Sequence, residues 1–321
     1  MKKSLYLGAL ALLTLASCAS EETVEAPKGN AIDFGKAFIN NSTRGGEDVT
    51  TANISKFFVY GYMKNFRGVV FAGQEVGKKD AGAWTYSPLA YWTPGNAYAF
   101  AALTTLDGVT FTPGETFPTV AAAFGNIEYD NNGERDLAYA YAFQDAAASG
   151  WNKVNFTFNH LLSRVRLTFE NGFTTPNSTF TITNVKVSGD YTDGTIDLST
   201  GTWTPKASTN TAEYSYVLTN GTNVAIGGKT ISDFFFFMPN TEGTYTITFD
   251  VQAYQNGVAV TAAPVAKSAT IKVTLEKGNS YNLTAKLTET VVNPDAKPIE
   301  FDVEKVTDWA EWTEGGNATV Q

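Results

Sequence analysis

The side chains that most often carry out catalysis or bind metals are scarce in this 321-residue chain, which has one cysteine and one histidine. The single cysteine, Cys18, allows no disulfide framework, and one histidine cannot build a His-rich metal site. His160 lies in the segment FTFNHLLSRV, close to the point where the apolar face of the segment changes sides. Such a change indicates a bulge or a bend, so we predict that His160 is a structural hydrogen-bonding residue.

Three aspartates in the segment GDYTDGTID, Asp190, Asp193 and Asp197, are the nearest approach to a cation site. Their spacing lacks the closing glutamate of an EF-hand loop, and Asp and Gly are typical of turns. The formal net charge of −9 and the pI of about 4.8 argue against a nucleic-acid partner. We therefore predict no metal, no cofactor and no enzymatic activity.

Cys18 has a more specific context at the start of the chain. Met-Lys-Lys is followed by an apolar run from Leu5 to Leu15, which is the pattern of a secretory signal peptide. The run ends in Leu-Ala-Ser-Cys, which resembles the lipobox of a bacterial lipoprotein. We expect residues 1–18 to be a signal peptide, Cys18 to be lipidated, and the acyl chains to anchor the protein in the outer membrane at the cell surface. The acidic stretch 19–30 is expected to be a disordered tether.

The rest of the chain predicts β-strands. Hydrophobic residues make up 43% and aromatic residues 13% of the sequence, and short apolar runs alternate with turn signals such as Asn256-Gly257. The alanine-rich segment 138–148 is the best helix candidate. We predict an all-β fold of two tandem antiparallel β-sandwich domains, 31–148 and 149–321, with the boundary near 144–152.

Several segments, in this order, resemble the fimbrillin family, the lipoprotein pilins of type V pili. They are the lipobox at 15–18, AIDFGKAFI at 31–39, Thr43-Arg44, FFVYGY at 57–62, the aromatic-rich segment 84–100, FTFNHLLSRV at 156–165, KGNSYNLTAKLT at 277–288 and PIEFDVEKVTDW at 298–309.

The resemblance implies transthyretin-like sandwiches and the role of a structural subunit precursor of a pilus that supports adhesion. It implies that an arginine-specific surface protease removes the first strand and that a neighbouring subunit's C-terminal strand fills the groove. The implied partners are other pilin subunits. Stalk, tip and anchor subunits are not separated by these motifs.

Two segments have the alternation that strand exchange requires. Segment 31–39 is predicted to place Ile32, Phe34 and Phe38 on one face, as the strand that lies in the assembly groove. The candidate donor strand lies within 299–321, where the apolar residues that share one face are Ile299, Phe301 and Val303. Both segments could equally be permanent strands of a sandwich.

The processing site is predicted between Arg44 and Gly45, within the polar segment NNSTRGGED. Polar, glycine-containing loops are accessible to proteases. A cut there would remove the lipid anchor and segment 31–39 together.

An alternative function is a glycan-binding surface lipoprotein, since surface aromatic rings stack on sugars. The candidate rings are Trp84, Tyr86, Tyr91, Trp92 and Tyr98. Packing of these rings in the core is the competing interpretation, and the host receptor or glycan is not named by the sequence.

Overall fold

The computed structural model describes residues 31–39, 50–64, 68–79, 82–114, 117–118, 124–144, 152–198, 202–206, 211–292 and 299–306. The predictions for the signal peptide and tether, for Cys18, Arg44 and Gly45, and for the tail 310–321 lie outside these described residues.

The described part of the chain is all-β, with strands joined by turns and no α-helix. A 3-10 helix spans Glu289–Val292. The strands in chain order are β1 (Phe34–Ile39), β2 (Lys56–Met63), β3 (Gly68–Lys78), β4 (Trp84–Thr85), β5 (Tyr98–Leu103), β6 (Val109–Pro113), β7 (Gly125–Asp130), β8 (Ala138–Gln144), β9 (Val154–His160), β10 (Ser163–Asn171), β11 (Ser178–Tyr191), β12 (Asp193–Asp197), β13 (Thr202–Pro205), β14 (Thr211–Tyr216), β15 (Leu218–Thr219), β16 (Val224–Ala225), β17 (Lys229–Ser232), β18 (Phe235–Phe237), β19 (Asn240–Gln255), β20 (Val258–Ala259), β21 (Val265–Leu275), β22 (Ser280–Leu287) and β23 (Asp302–Val306).

The helix candidate 138–148 was wrong over its described part, because residues 138–144 form strand β8. The strand pairs with β5 from Tyr98–Gln144 to Leu103–Tyr139. Alanines on one face alternate with the aromatic residues Tyr139, Tyr141 and Phe143 on the other, which is the period of a strand. This period of two decides the structure over the helical propensity of alanine.

Seven strands form the first sheet, in the order β1-β9-β8-β5-β2-β3-β4. One face of the sheet covers a core rich in aromatic rings, with Phe57, Phe100 and Phe156 fully buried at its centre. The two ends of the sheet approach each other, as shown by a β-bridge between Ala31, which precedes β1, and Tyr91, which follows β4. The segment 31–39 therefore contacts both β9 and the residues after β4.

A four-stranded sheet, β13-β12-β7-β6, packs on the other face of β5 and β8. Its strands come from two distant parts of the chain, since β12 pairs with β7 from Asp193–Asp130 to Asp197–Asn126. Asp193 and Gly194, which resemble a hairpin turn in sequence, thus belong to a strand. Within the buried layer between the sheets, Trp203 Nε1 donates a hydrogen bond of 2.7 Å to the carbonyl oxygen of Leu161.

Two further sheets enclose the core of the C-terminal half. The first has the order β15-β17-β10-β22-β23, and β18 also pairs with β10. The second has the order β14-β11-β19, with β16 beside β11 and with β20 and β21 beside β19. Odd-numbered residues of β10 and β22, such as Leu167, Phe169 and Leu283, point into this core. The arrangement is a β-sandwich.

The aromatic run 234–239 has core on both sides, as its lack of alternation predicts. Phe237 packs in the C-terminal core, whereas Phe236 and Met238 pack in the layer below the four-stranded sheet. The turn signal Asn256-Gly257 is confirmed, because both residues have positive φ angles of 51° and 78° between the paired strands β19 and β20.

Strand β9 begins after the predicted domain boundary, yet it pairs with β1 and β8 of the first sheet. The four-stranded sheet also draws strands from both sides of that boundary. The division into 31–148 and 149–321 stays a prediction.

Candidate functional site

The first strand occupies one edge of the seven-stranded sheet. β1 pairs in parallel with β9, and Phe34 lies opposite Val154, whereas Ile39 lies opposite Phe158. The ladder shifts register between Phe34 and Ala37, so the strand contains a bulge. On its other side β1 has no strand neighbour among the described residues.

Phe34 lies at the centre of the aromatic core beneath β1. Its side chain is 3% exposed, and its ring centroid lies 5.5–5.9 Å from four other rings. These rings belong to Phe57, Phe71, Tyr86 and Phe156. Aromatic pairs at such distances stabilise a core beyond the area that they bury.

The predicted apolar row is correct for Ile32 and Phe34 and wrong for Phe38. Ile32 is 1% exposed, whereas Phe38 is 46% exposed. The bulge after Phe34 reverses the alternation, so that Ala37 and Ile39 turn inward instead. Nothing in the composition of FGKAFI marks this bulge, which is why the sequence pattern alone missed Ala37 and Ile39.

The backbone of the segment is fixed by hydrogen bonds at its start. Ile32 N donates to Ala90 O at 2.9 Å, and the hydroxyl of Tyr86 donates to Ile32 O at 2.7 Å. Val154 N donates to Asp33 O at 2.8 Å. The Tyr86 hydroxyl thus binds the backbone just before β1 begins.

Further along the segment, two side chains continue this support. Lys36 N donates to Asn155 Oδ1 at 2.7 Å, and Ile39 N donates to Thr51 Oγ1 at 2.9 Å. Asn155 lies 119 positions from Lys36 and Thr51 lies 12 positions from Ile39, so the pattern within the strand itself could not identify either residue.

A cleft of about 620 Å³ lies beside the start of β1. The cleft is lined on one side by residues just before β1, such as Ile32 and Asp33. On the other side it is lined by residues in and after β4, such as Trp84 and Trp92. Above the cleft, Lys153 Nζ forms a salt bridge of 2.8 Å with Asp33. This pair is solvent-exposed and therefore contributes little to stability.

The candidate donor residues lie at an edge of the C-terminal sandwich. Ile299, Phe301 and Val303 pack, partly buried, against its core, and Phe301 meets Phe169 at 5.8 Å between ring centroids. Strand β23 pairs antiparallel with β22, with Val303 opposite Leu283. The predicted common face of the three residues agrees with this packing.

Strand β23 also carries charged side chains. Lys305 Nζ forms a salt bridge of 2.8 Å with Glu276. The pKa of Glu304 is raised, chiefly by its partial burial, although Arg166 acts in the opposite direction. β23 is therefore held by one ladder, one apolar face and a small number of exposed charges.

Four of the five aromatic residues of the glycan-binding alternative, Trp84, Tyr86, Trp92 and Tyr98, lie in or pack against the core. Trp84, Trp92 and Tyr98 are 7%, 4% and 1% exposed, and Tyr91 is 37% exposed. Trp92 meets Tyr98 edge to face at 4.8 Å between ring centroids. Buried rings cannot stack on a sugar, so the geometry favours the packing interpretation.

The structure also shows the surroundings of the acidic and histidine candidates. His160 Nδ1 lies 2.9 Å from Asp136 Oδ2, and both side chains are buried. Asp190 is fully buried, whereas Asp193 and Asp197 lie partly exposed in β12. In the described ranges, no group of three or more His, Cys, Asp or Glu side chains could hold a metal ion, and no helix is long and apolar enough to cross a membrane.

Comparison with known proteins gives a family match and several similar structures. The sequence profile of a family described as Fimbrillin-like matches residues 43–309. A comparison with curated proteins gave no significant match.

Three solved structures illustrate the structural similarity. A candidate cell adhesion protein from Bacteroides ovatus is 13% identical, with a TM-score of 0.50 over 89% of this chain and 99% of that chain. One from Bacteroides uniformis is 15% identical, with a TM-score of 0.48 over 88% and 98%. The fimbrial anchor protein Mfa2 from Porphyromonas gingivalis is 12% identical, with a TM-score of 0.39 over 84% and 95%. At 13% identity, the similarity to the B. ovatus protein shows a shared fold.

Proposed function

Because the chain belongs to the fimbrillin-like family, we propose that it is a structural subunit precursor of a cell-surface pilus that supports adhesion. The precursor is exported as a lipoprotein, lipidated at Cys18 and held in the outer membrane. An arginine-specific surface protease cuts it between Arg44 and Gly45. The product then assembles with other pilin subunits by strand exchange.

The observation that carries this proposal is the position of β1. The strand lies at a sheet edge, and its inward side chains cover the aromatic core. In the sequence, Arg44 follows only five residues after Ile39, the last residue of the strand. Ile32, Phe34 and Ile39 are each buried to 95% or more. Removal of such a strand exposes both an apolar trench and a row of unpaired backbone groups, which together favour a replacement strand.

The stability that would be lost with β1 is large enough to favour its replacement by another strand. Burial of one large apolar side chain contributes about 1.5–3 kcal/mol, so three of them contribute about 5–9 kcal/mol. That amount is comparable with the whole stability of a typical domain, about 5–15 kcal/mol. A product without β1 would be marginal until another extended segment filled the trench.

The C-terminal segment has the form that such a trench accepts. Ile299, Phe301 and Val303 present an alternating apolar row at an edge of the second sandwich. Among the described residues, β22 is the one strand that pairs with β23. We assign segment 299–321 as the donor, with release from β22 as the step that makes it available.

Cleavage of the lipid-free precursor with an arginine-specific protease tests this function. We expect a new N-terminus at Gly45, and a ladder of SDS-resistant oligomers when the product is run without boiling. The matched control is Arg44→Lys, which keeps the positive charge but removes the specificity determinant. The control should stay uncut at this position and should give no ladder.

The outcomes separate the parts of the proposal. Absence of cleavage after Arg44 in the folded protein would refute the processing step. Cleavage without a ladder, at any protein concentration, would refute assembly by strand exchange between copies of this chain. Addition of a peptide spanning 299–309 then tests whether the trench accepts a strand at all, since a stable complex is expected only with the cut product.

A further inference from the structure

A buried carboxyl group, Asp190, lies where the loop 131–137 between β7 and β8 meets strand β11. Its side chain is 0% exposed. Its Oδ2 atom accepts hydrogen bonds from Tyr214 Oη at 2.8 Å, from Asn131 Nδ2 at 3.2 Å and from Met238 N at 3.4 Å. One carboxyl oxygen thus joins a loop, a strand of the second sandwich and the segment after β18.

Asn131 extends these contacts to a continuous cluster. Its Nδ2 also donates to Phe236 O at 2.9 Å, and its backbone N donates to Thr192 O at 2.6 Å. In return, Phe236 N donates to Gly133 O at 2.7 Å. The loop is therefore fastened by both its backbone and its side chain.

Two glycines make this close approach sterically feasible. Gly133 has a φ of 78°, and a Cβ atom there would collide with the ring of Tyr214. Gly189 has a φ of 112° and lies in a bulge of β11, where a Cβ atom would collide with the carbonyl oxygen of Thr244. The bulge turns Asp190 into the interior, so the cluster is built into the backbone.

We propose that this cluster, here named the Asp190 latch, is a pH-sensitive fastening between the loop 131–137 and strands β11, β14 and β18. The latch is closed when Asp190 is protonated and weakened when it is ionised. It is independent of the cleavage and strand exchange proposed above.

The physical reason is that no described cationic side chain compensates the charge of the ionised carboxylate. In the described part of the chain, Asp190 forms no ion pair. The titratable groups that act on it are tyrosines: Tyr214 and Tyr216 on β14 and Tyr245 on β19. Burial raises the pKa of Asp190 to about 7, against the opposing effect of its hydrogen bonds from Tyr214, Tyr191 N, Met238 N and Asn131.

The sign of the pH effect follows from this pKa. The pKa of Asp190 is raised above the ordinary value of 3.8, so the closed state binds the proton more tightly than the open state. The closed state is therefore favoured at low pH and loses stability as pH rises through about 7. A pKa near 7 predicts that the opening equilibrium increases about tenfold between pH 6 and pH 8.

A second buried pair lies at the other end of the same loop. Asp136 Oδ2 is 2.9 Å from His160 Nδ1, with both side chains buried. Both this pair and Asp190 contact the loop 131–137, so the test must separate their effects. The variant His160→Gln serves this purpose, since it removes the imidazole beside Asp136 and leaves Asp190, Asn131 and Tyr214 unchanged.

Hydrogen exchange of the purified full chain, followed by mass spectrometry, tests the latch. The measured quantity is the equilibrium constant for local opening of the backbone. It is obtained from the exchange rates of peptides spanning 128–138, after correction for the intrinsic pH dependence of exchange. We expect the tenfold increase in opening from pH 6 to pH 8 in the wild type and in His160→Gln, and a pH-independent opening in Asp190→Asn. The matched control is Asp250→Asn, on the same sheet, which should behave as the wild type.

Two results would overturn the proposal: a pH-independent opening in the wild type, or an unchanged pH dependence in Asp190→Asn. If Asp190→Asn does not fold, the carboxyl carbon resonance of Asp190 is followed by NMR in the wild type instead. A midpoint near pH 7 supports the latch, and a midpoint below pH 5 refutes it.

Discussion

Replacement of Phe34 by alanine tests whether β1 is held by its apolar face. Strand β1 offers a matched pair of phenylalanines for this purpose. Phe34 is 3% exposed, whereas Phe38, four residues further along, is 46% exposed. The two substitutions remove the same atoms from the same strand, so they differ mainly in burial.

The structure predicts a large difference between the two variants. Phe34 contacts four rings at 5.5–5.9 Å, and truncation of a buried phenylalanine costs about 3–5 kcal/mol. Phe38 lies outside the core, with its ring 5.8 Å from the Nζ atom of Lys36. A partly exposed ring with one cation–π contact contributes about 1 kcal/mol.

Urea unfolding followed by tryptophan fluorescence measures both values at pH 7. We expect Phe34→Ala to lower the free energy of unfolding by about 3–5 kcal/mol and Phe38→Ala by about 1 kcal/mol or less. Equal losses in the two variants, or a larger loss for Phe38→Ala, would refute both the bulge in β1 and the apolar trench on which the proposed strand exchange depends.

Three further predictions concern other parts of the molecule. Phe301→Ala should destabilise the protein by about 1–3 kcal/mol in urea unfolding because its ring packs against the core, whereas the exposed neighbour substitution Glu300→Ala should have little effect. Glu289→Gln should lower the thermal midpoint at pH 7, since hydrogen bonds from nearby backbone amides lower the pKa of Glu289 to about 2; the difference from the wild type should shrink as the pH falls from 5 towards 2. His160→Ala should cost about 3 kcal/mol, because the imidazole lies 2.9 Å from the buried Asp136, and calorimetry that finds no loss would contradict this role.

Much of the fold could be predicted because its signal is local. Apolar and polar residues alternate with a period of two within a few neighbouring residues. This alternation predicts the all-β class and the inward residues of segment 299–303. The same rule, applied to β8, would have corrected the helix candidate. The turn at Asn256-Gly257 is equally local, since it depends on two residues that tolerate positive φ angles.

The errors have a common physical cause. Regular alternation predicts an inward Phe38, but the bulge in β1 interrupts that alternation, and the bulge depends on pairing with β9 more than 100 residues away. Asp193 and Gly194 resemble a turn, but β7 and β13 pair with them and make them a strand. Long-range partners override local preference at these positions.

The sequence by itself determined the all-β class, the family resemblance and the segments that carry alternating apolar rows, because each of these is written in neighbouring residues. Only the tertiary structure decided which face of β1 is buried, that the aromatic rings form a core, and that Asp190 meets Asn131 and Tyr214. These features depend on contacts between distant parts of the chain, such as Lys36 with Asn155, 119 positions apart, and Asn131 with Asp190, 59 positions apart. The burial that such contacts create is not a property of any short segment.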